Sequence, residues 1–193
     1  MTIQKARQAI RAGLIVGVPT DTVYGLAADP GNQAAVQSLF RLKGRGQNLP
    51  IAVLAASIEQ LDQLVAWTGT SRQIVEPHWP GPLTAVLGAR TPLVEGLGDP
   101  ERGTLAVRIP DQDLLLELLG RTGPLAVTSA NPSGAPPALD ATQAQALFGK
   151  RVSVYLEGPQ KGDQASTVVD LTRLPPVVLR KGPISPADLA PEI

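Results

Sequence analysis

The chain of 193 residues contains no cysteine, which excludes disulfides, thiolate nucleophiles and cysteine-held metals together. Its one histidine, His78, lies between Pro77 and Trp79. A single imidazole cannot build a histidine metal cluster, and its setting reads as packing or loop structure rather than as the base of a triad. Aromatic side chains are few, with two each of Trp, Tyr and Phe. The core must therefore come from Leu, Val, Ile and Ala, and stacking platforms for nucleic-acid bases are largely missing. Neither sign of charge is in excess: 17 basic and 17 acidic residues give a formal net charge of zero, against a protein whose main task is gripping nucleic acid. No apolar run approaches the ~18 residues of a membrane span. Residues 1–13 place Lys5, Arg7 and Arg11 among Gln and Ala, unlike a signal peptide. A cytoplasmic protein without membrane association is expected. Also missing are the G-x-x-x-x-G-K-[ST] phosphate loop, the G-x-G-x-x-G fingerprint and the G-x-S-x-G elbow.

What is present describes a globular chain, 43% hydrophobic and 18% charged. Its length suits one domain spanning residues 1–193. Nineteen Gly and nineteen Pro imply many turns. Helices are predicted over residues 3–12 and 32–42; on the second, Val36, Leu39 and Phe40 form a stripe that Lys43 extends and Gly44 can close. Short apolar runs at 14–18, 51–55, 83–87, 105–109, 125–128, 152–156, 167–171 and 177–179 read as buried strands. Capping boxes at Ser57/Gln60 and Thr70/Gln73 predict two more helices, the first through Val65 and the second ending before Pro77. Asp111 is expected to cap a Leu-rich helix ending at Gly120, and Asp140 with Gln143 to open one closed by Gly149. From Pro183 onward the chain reads as a surface strap. Helices interleaved with short apolar strands predict an α/β domain with a twisted, mostly buried sheet flanked by helices. Ligands in such folds gather in loops beyond strand ends, which singles out residues 19–24, 43–50 and 129–134.

The candidate chemistry rests on Lys, Arg, Ser, Thr and Asn. These hold anions well and are poor unaided nucleophiles, so positioning and charge neutralisation, as in phosphoryl and nucleotidyl transfer, are indicated. No carboxylate lies between Asp29 and Glu59, where Arg41, Lys43 and Arg45 fall, nor between Glu117 and Asp140. Two acid-free stretches can wall one anion site, although a chain with few charges also produces such gaps by chance. Lys43-Gly44-Arg45-Gly46 offers two cations beside glycines that allow close backbone approach. The same residues serve equally as a solvated basic helix end that complements the helix dipole. The segments from Thr128 to Gly134 and from Pro19 to Leu26 are rich in hydroxyl and amide groups after strands, and suit turns as well as sites. Ser166-Thr167-Val168-Val169-Asp170 reads by itself as a strand.

Taken in order the segments say more. Pro19-Thr20-Asp21-Thr22-Val23-Tyr24-Gly25-Leu26, then Lys43-Gly44-Arg45, Trp79-Pro80-Gly81-Pro82-Leu83-Thr84, Val107-Arg108-Ile109-Pro110, Ser129-Ala130-Asn131-Pro132-Ser133-Gly134 and Ser166-Thr167-Val168-Val169-Asp170 resemble the YrdC-like family from about Gly13 to Gly182. The resemblance implies one YrdC-like domain with a concave, electropositive face. It implies L-threonylcarbamoyladenylate synthesis from L-threonine, bicarbonate and ATP with Mg2+, releasing pyrophosphate. The product would supply the threonylcarbamoyl group for tRNA, through transient contact with a tRNA threonylcarbamoyl transferase complex. By the same resemblance Lys43, Arg45, Ser129 and Asn131 form the central catalytic and nucleotide-binding set, joined at the nucleotide by Arg180. Thr20, Tyr24, Arg108 and Ser166 take the threonine, Arg108 through its carboxylate, while Thr22 and Thr128 line the cavity. No protein metal ligand is assigned. Where many members carry Pro, Glu and an acidic residue, this chain has Gly46, Asp21 and Ala165. The alternative is a non-catalytic or divergent YrdC-like protein that binds double-stranded RNA or tRNA, weak RNA binding being compatible with either reading.

Overall fold

The computed structural model describes residues 2–44, 51–90, 92–159 and 162–189. Ten strands among them form one mixed sheet: β1 (Val16–Val18), β2 (Gly25–Ala28), β3 (Ala52–Leu54), β4 (Val65–Ala66), β5 (Leu83–Ala89), β6 (Thr104–Arg108), β7 (Leu125–Ser129), β8 (Val154–Tyr155), β9 (Thr167–Asp170) and β10 (Val177–Arg180). The order across the sheet is β10-β9-β5-β6-β3-β7-β2-β1-β8, with β4 pairing the far half of β5. β1/β8, β3/β6 and β5/β9 are parallel, and the remaining pairs are antiparallel.

Successive side chains on a strand point to opposite faces, and here both faces are covered. On one face Leu26, Ala28, Val53 and Ala126 join a core with Val36, Leu39 and Phe40 of helix α2 (Gln33–Lys43), Ile74 of α4 (Gly69–Val75) and Phe148 of α6 (Ala141–Phe148). On the other, Ala27, Leu54, Leu125 and Val127 meet Ala6, Ala9 and Ile10 of α1 (Ile3–Arg11) and Leu115, Leu118 and Leu119 of α5 (Asp113–Thr122). The strands read as continuous apolar runs because both of their faces are dry. The α/β expectation with a mostly buried sheet holds.

Three of the expected helix starts differ. Ser57 leads into only the short α3 (Ile58–Leu61) with no side-chain cap. Gln60 instead accepts from Ala56 N at 2.9 Å, and the chain turns into β4. The capping box of α4 is Thr68 with Ser71, two residues before the expected pair. At α5 Gln112, not Asp111, caps the helix by accepting from Leu114 N, and the helix runs through Gly120 to Thr122. β2 starts inside the Pro19–Leu26 segment and runs on to Ala28, where no strand is expected because Gly25-Leu26-Ala27-Ala28 lacks the β-branched residues that mark strands. The strap after Pro183 is partly buried. Thr167 Oγ1 donates to Ile184 O and accepts from Ile184 N, and Leu189 is packed in the core.

Candidate functional site

Lys43 ends α2, whose N-cap Asn32 accepts from Ala35 N and whose last turn closes at Gly44 with φ +62°. The register of the Val36–Leu39–Phe40 stripe carries Lys43 inward, so it is 2% exposed rather than a solvated helix end. Its ammonium donates to Ser129 O at 2.7 Å, Ser129 Oγ at 3.2 Å and Asn131 Oδ1 at 2.8 Å. Ser129 Oγ donates to Asn131 Oδ1 at 2.7 Å. Asn131 Nδ2 donates to Pro132 O and Ala135 O, and these contacts settle which way its amide faces. One acid-free stretch of sequence has thus met the other. Arg45, expected beside Lys43, lies outside the described residues, as does most of the 43–50 loop.

The second group centres on Arg108, at the end of β6 and 4% exposed. Its Nε donates to Gly81 O at 2.9 Å, its Nη1 to Thr22 Oγ1 at 3.0 Å, and its Nη2 to Asp21 Oδ1 in a buried ion pair. Burial pushes this guanidinium below its ordinary pKa, and the Asp21 charge opposes that. Thr20 Oγ1 donates to Val23 O at 2.6 Å and accepts from Thr22 N, so the hydroxyl contact with Thr22 at 3.0 Å is left for Thr22 to donate. Thr20 and Thr22 therefore brace the 19–24 loop, and Thr22 also accepts from Arg108.

The third group is Ser166, directly before β9. Its Oγ lies 2.8 Å from Thr84 Oγ1, and Arg180 of β10 donates to its Oγ and its carbonyl, each at 3.0 Å. Burial lowers the Arg180 pKa, and the nearby Arg108 charge lowers it further. Two guanidiniums close enough to lower one another's pKa, only one of them paired with Asp21, make a place where an added anion is stabilised. Gly182 follows in close backbone contact with residues 165–167, where a Cβ would stand 2.6 Å from Ala165 O.

These groups form one connected series. Gly25 pairs with Ser129 in the sheet, and Ala130 N donates to Tyr24 O, tying the lysine group to the 19–24 loop. Arg108 ties that loop to Gly81, and Thr84 ties the same segment to Ser166 and Arg180. Two expected residues stand apart by their contacts. Tyr24 is buried against Gly17, its hydroxyl donates to Leu156 O at 2.7 Å, and burial holds its pKa above the ordinary value. Thr128 is half-buried on β7 opposite Leu26. Thr84, Gly81 and the ion-pair role of Asp21 were missed by the sequence reading, although each lies within a quoted motif. An opening of about 310 Å³ between α4 and the β9–β10 turn, lined by Thr68, Ile74, Leu171 and Leu174, contains none of the expected site residues.

Buried cations presented on hydroxyls, an amide and backbone carbonyls are an arrangement that can hold and neutralise an anion. Comparison with known proteins gives the family. The pattern of the Sua5/YciO/YrdC family, described as telomere recombination, matches residues 8–182, and the chain belongs to that family. A Mycobacterium tuberculosis protein is 43% identical over 190 residues, covering 97% of this chain and 87% of that one. The threonylcarbamoyl-AMP synthase of Pyrococcus abyssi is 37% identical over 183 residues; the match takes in 93% of this chain and 54% of that protein, so this chain spans about half of it. The crystal structure of P. abyssi Sua5 complexed with L-threonine superposes with a TM-score of 0.85 at 36% identity, over 93% of this chain and 54% of that one. Among the described residues no helix is long and apolar enough to cross a membrane.

Proposed function

We propose that this protein is an L-threonylcarbamoyladenylate synthase, a nucleotidyltransferase acting on L-threonine, bicarbonate and ATP. The observation that carries the reading is the buried Lys43 held by half-buried Ser129 and Asn131, joined through the 19–24 loop to Arg108 and through residues 81–84 to Ser166 and Arg180. The amine of threonine adds to bicarbonate and a water is lost, giving a carbamate. A carbamate oxygen then attacks the α-phosphorus of ATP, and the bond to pyrophosphate breaks. No protein nucleophile is required. Charge accumulates on phosphate and carbamate oxygens, and a preorganised ammonium such as that of Lys43 stabilises it without reorganisation cost. Ser129 and Asn131 hold the ammonium in place, while Arg108 and Ser166 receive the amino acid and Arg180 the nucleotide.

Among the described residues no group of three His, Cys, Asp or Glu side chains could cage a cation. Magnesium would arrive on ATP, held mainly by phosphate oxygens. Bound there, it would neutralise the departing pyrophosphate. The adenylate would serve a cytoplasmic tRNA modification completed by a separate threonylcarbamoyl transferase.

The test is pyrophosphate release from ATP with magnesium and bicarbonate, with and without L-threonine, using serine as control. Release that depends on both threonine and bicarbonate is expected. ATP binding without threonine-dependent turnover would refute the synthase and favour a divergent or RNA-binding member.

A further inference from the structure

Asp21 is 5% exposed at its side chain, and only one of its oxygens is used. Oδ1 accepts from Arg108, whereas Oδ2 is buried with no hydrogen-bond partner. Only Arg7 Nε shares that condition among the described residues, and it lies on α1, outside the contacts that build the site. A desolvated carboxylate oxygen without a donor is costly, so native structures seldom keep one without a use. A structural ion pair would have found a second donor, as Asp170 has in Thr172, Arg102 and Arg173.

Arg108 is incompletely used in a matching way. Its Nε, Nη1 and Nη2 each give one N–H to the protein, which leaves one N–H on Nη1 and one on Nη2. The same guanidinium thus offers spare donors to a carboxylate and anchors an acceptor that lacks a donor. An α-amino acid presents the complementary pair, a carboxylate with an amino group two bonds away. The terminal torsion of an aspartate is soft, so a small rotation, which moves both oxygens together, can aim Oδ2 at an amine while Oδ1 remains within hydrogen-bond reach of Nη2.

We propose that Asp21 Oδ2 accepts a hydrogen bond from the amino group of the amino-acid substrate, making Asp21 a specificity residue that distinguishes an amino acid from the corresponding hydroxy acid. The inference rests on the synthase reading above, since it takes threonine as the substrate of the Arg108 group. Carboxylate recognition stays with Arg108. Asp21 supplies the charge-assisted contact that a hydroxyl in place of the amine satisfies far less well.

The experiment is calorimetric titration of the whole chain with L-threonine and with its 2-hydroxy analogue, for wild type, Asp21→Asn and Asp21→Glu. Wild type should prefer threonine, and Asp21→Asn should lose about 10- to 100-fold of that preference, the scale of one charge-assisted hydrogen bond. Asp21→Glu, which keeps the carboxylate, should retain most of it. A residue that merely aligned Arg108 would weaken both ligands equally and leave the preference unchanged, and that result overturns the proposal. Tighter threonine binding by Asp21→Asn also overturns it, because Asp21 would then be competing with the substrate carboxylate for Arg108. Unfolding midpoints of the variants verify that each remains folded. If wild type binds threonine and releases pyrophosphate while the preference survives in Asp21→Asn, only this inference falls. If wild type shows neither, the synthase reading falls with it.

Discussion

Replacing Lys43 with methionine removes a buried charge while keeping a side chain of similar length, which separates catalysis from folding. Lys43 is 2% exposed, and its ammonium donates to three oxygens within 3.2 Å. Its loss does not orphan the two carbonyl-type acceptors. Ser129 O still accepts from Asn131 N at 3.0 Å, and Asn131 Oδ1 still accepts from Ser129 Oγ at 2.7 Å. The lost hydrogen bonds are offset by no longer burying an ammonium, a penalty of several kcal/mol in its own right. The net change in stability should stay within about 1 kcal/mol, a shift of roughly 2–4 °C in Tm for a chain of this size. Catalysis has no such offset. One preorganised charge-stabilising donor is worth about 10²–10³ in turnover, or ~2.7–4 kcal/mol, and Lys43→Ala should lose a similar amount. Threonine-dependent pyrophosphate release and a thermal melt on the same preparation read both quantities. A folded Lys43→Met protein with near-normal turnover would remove Lys43 from the chemistry. A collapse of Tm would show instead that the ammonium is structural.

Other perturbations probe the rest of the network. Arg108→Lys replaces a fork that reaches Gly81, Thr22 and Asp21 with a single ammonium, and should weaken threonine binding by about 10-fold or more, read by titration. Unchanged affinity would exclude a contact between Arg108 and substrate. Gly182→Ala places a Cβ 2.6 Å from Ala165 O and still closer to Ser166 C and Thr167 N, so the strap must lift and Arg180 lose its hold on Ser166. A cost of about 1–3 kcal/mol in urea unfolding and a fall in kcat/KM are expected; wild-type values would refute the packing argument. Asp170 is buried, which raises its pKa, but hydrogen bonds from Thr172 and Arg102 outweigh burial and hold it below the usual carboxylate range. Its contribution is therefore complete above the unfolded value of about 4 and is lost as pH falls through the depressed folded value. Asp170→Asn should cost about 1–2 kcal/mol at neutral pH and progressively less below pH ~4 in urea unfolding. A difference independent of pH would contradict the assignment.

Local chemistry alone determined a good part of this protein. Asp140 accepts from Gln143 N and opens α6, Gly44 takes the left-handed conformation that ends α2, and the apolar runs became strands because period-two alternation could bury both faces. The ordered motifs were enough to place the chain in its family. Where neighbouring residues offered equivalent local choices, the tertiary structure decided. Thr68 rather than Thr70 caps α4 and Gln112 rather than Asp111 caps α5, since the helix must start where its buried stripe meets the sheet. Gly25–Ala28 is a strand because β1 and β7 pair with it on either side, which no propensity of Gly or Ala could announce. The site depended most on long-range folding. Lys43 meets Ser129 and Asn131 across 86 and 88 residues, and Arg108 meets Asp21 across 87. Sequence spacing records 3.6- and 2-residue periods, whereas the pairing order of the strands sets which loop ends converge. That is why the residue types were legible in the sequence, while the half-used Asp21 and the Thr84–Ser166 contact emerged only once the sheet had brought them together.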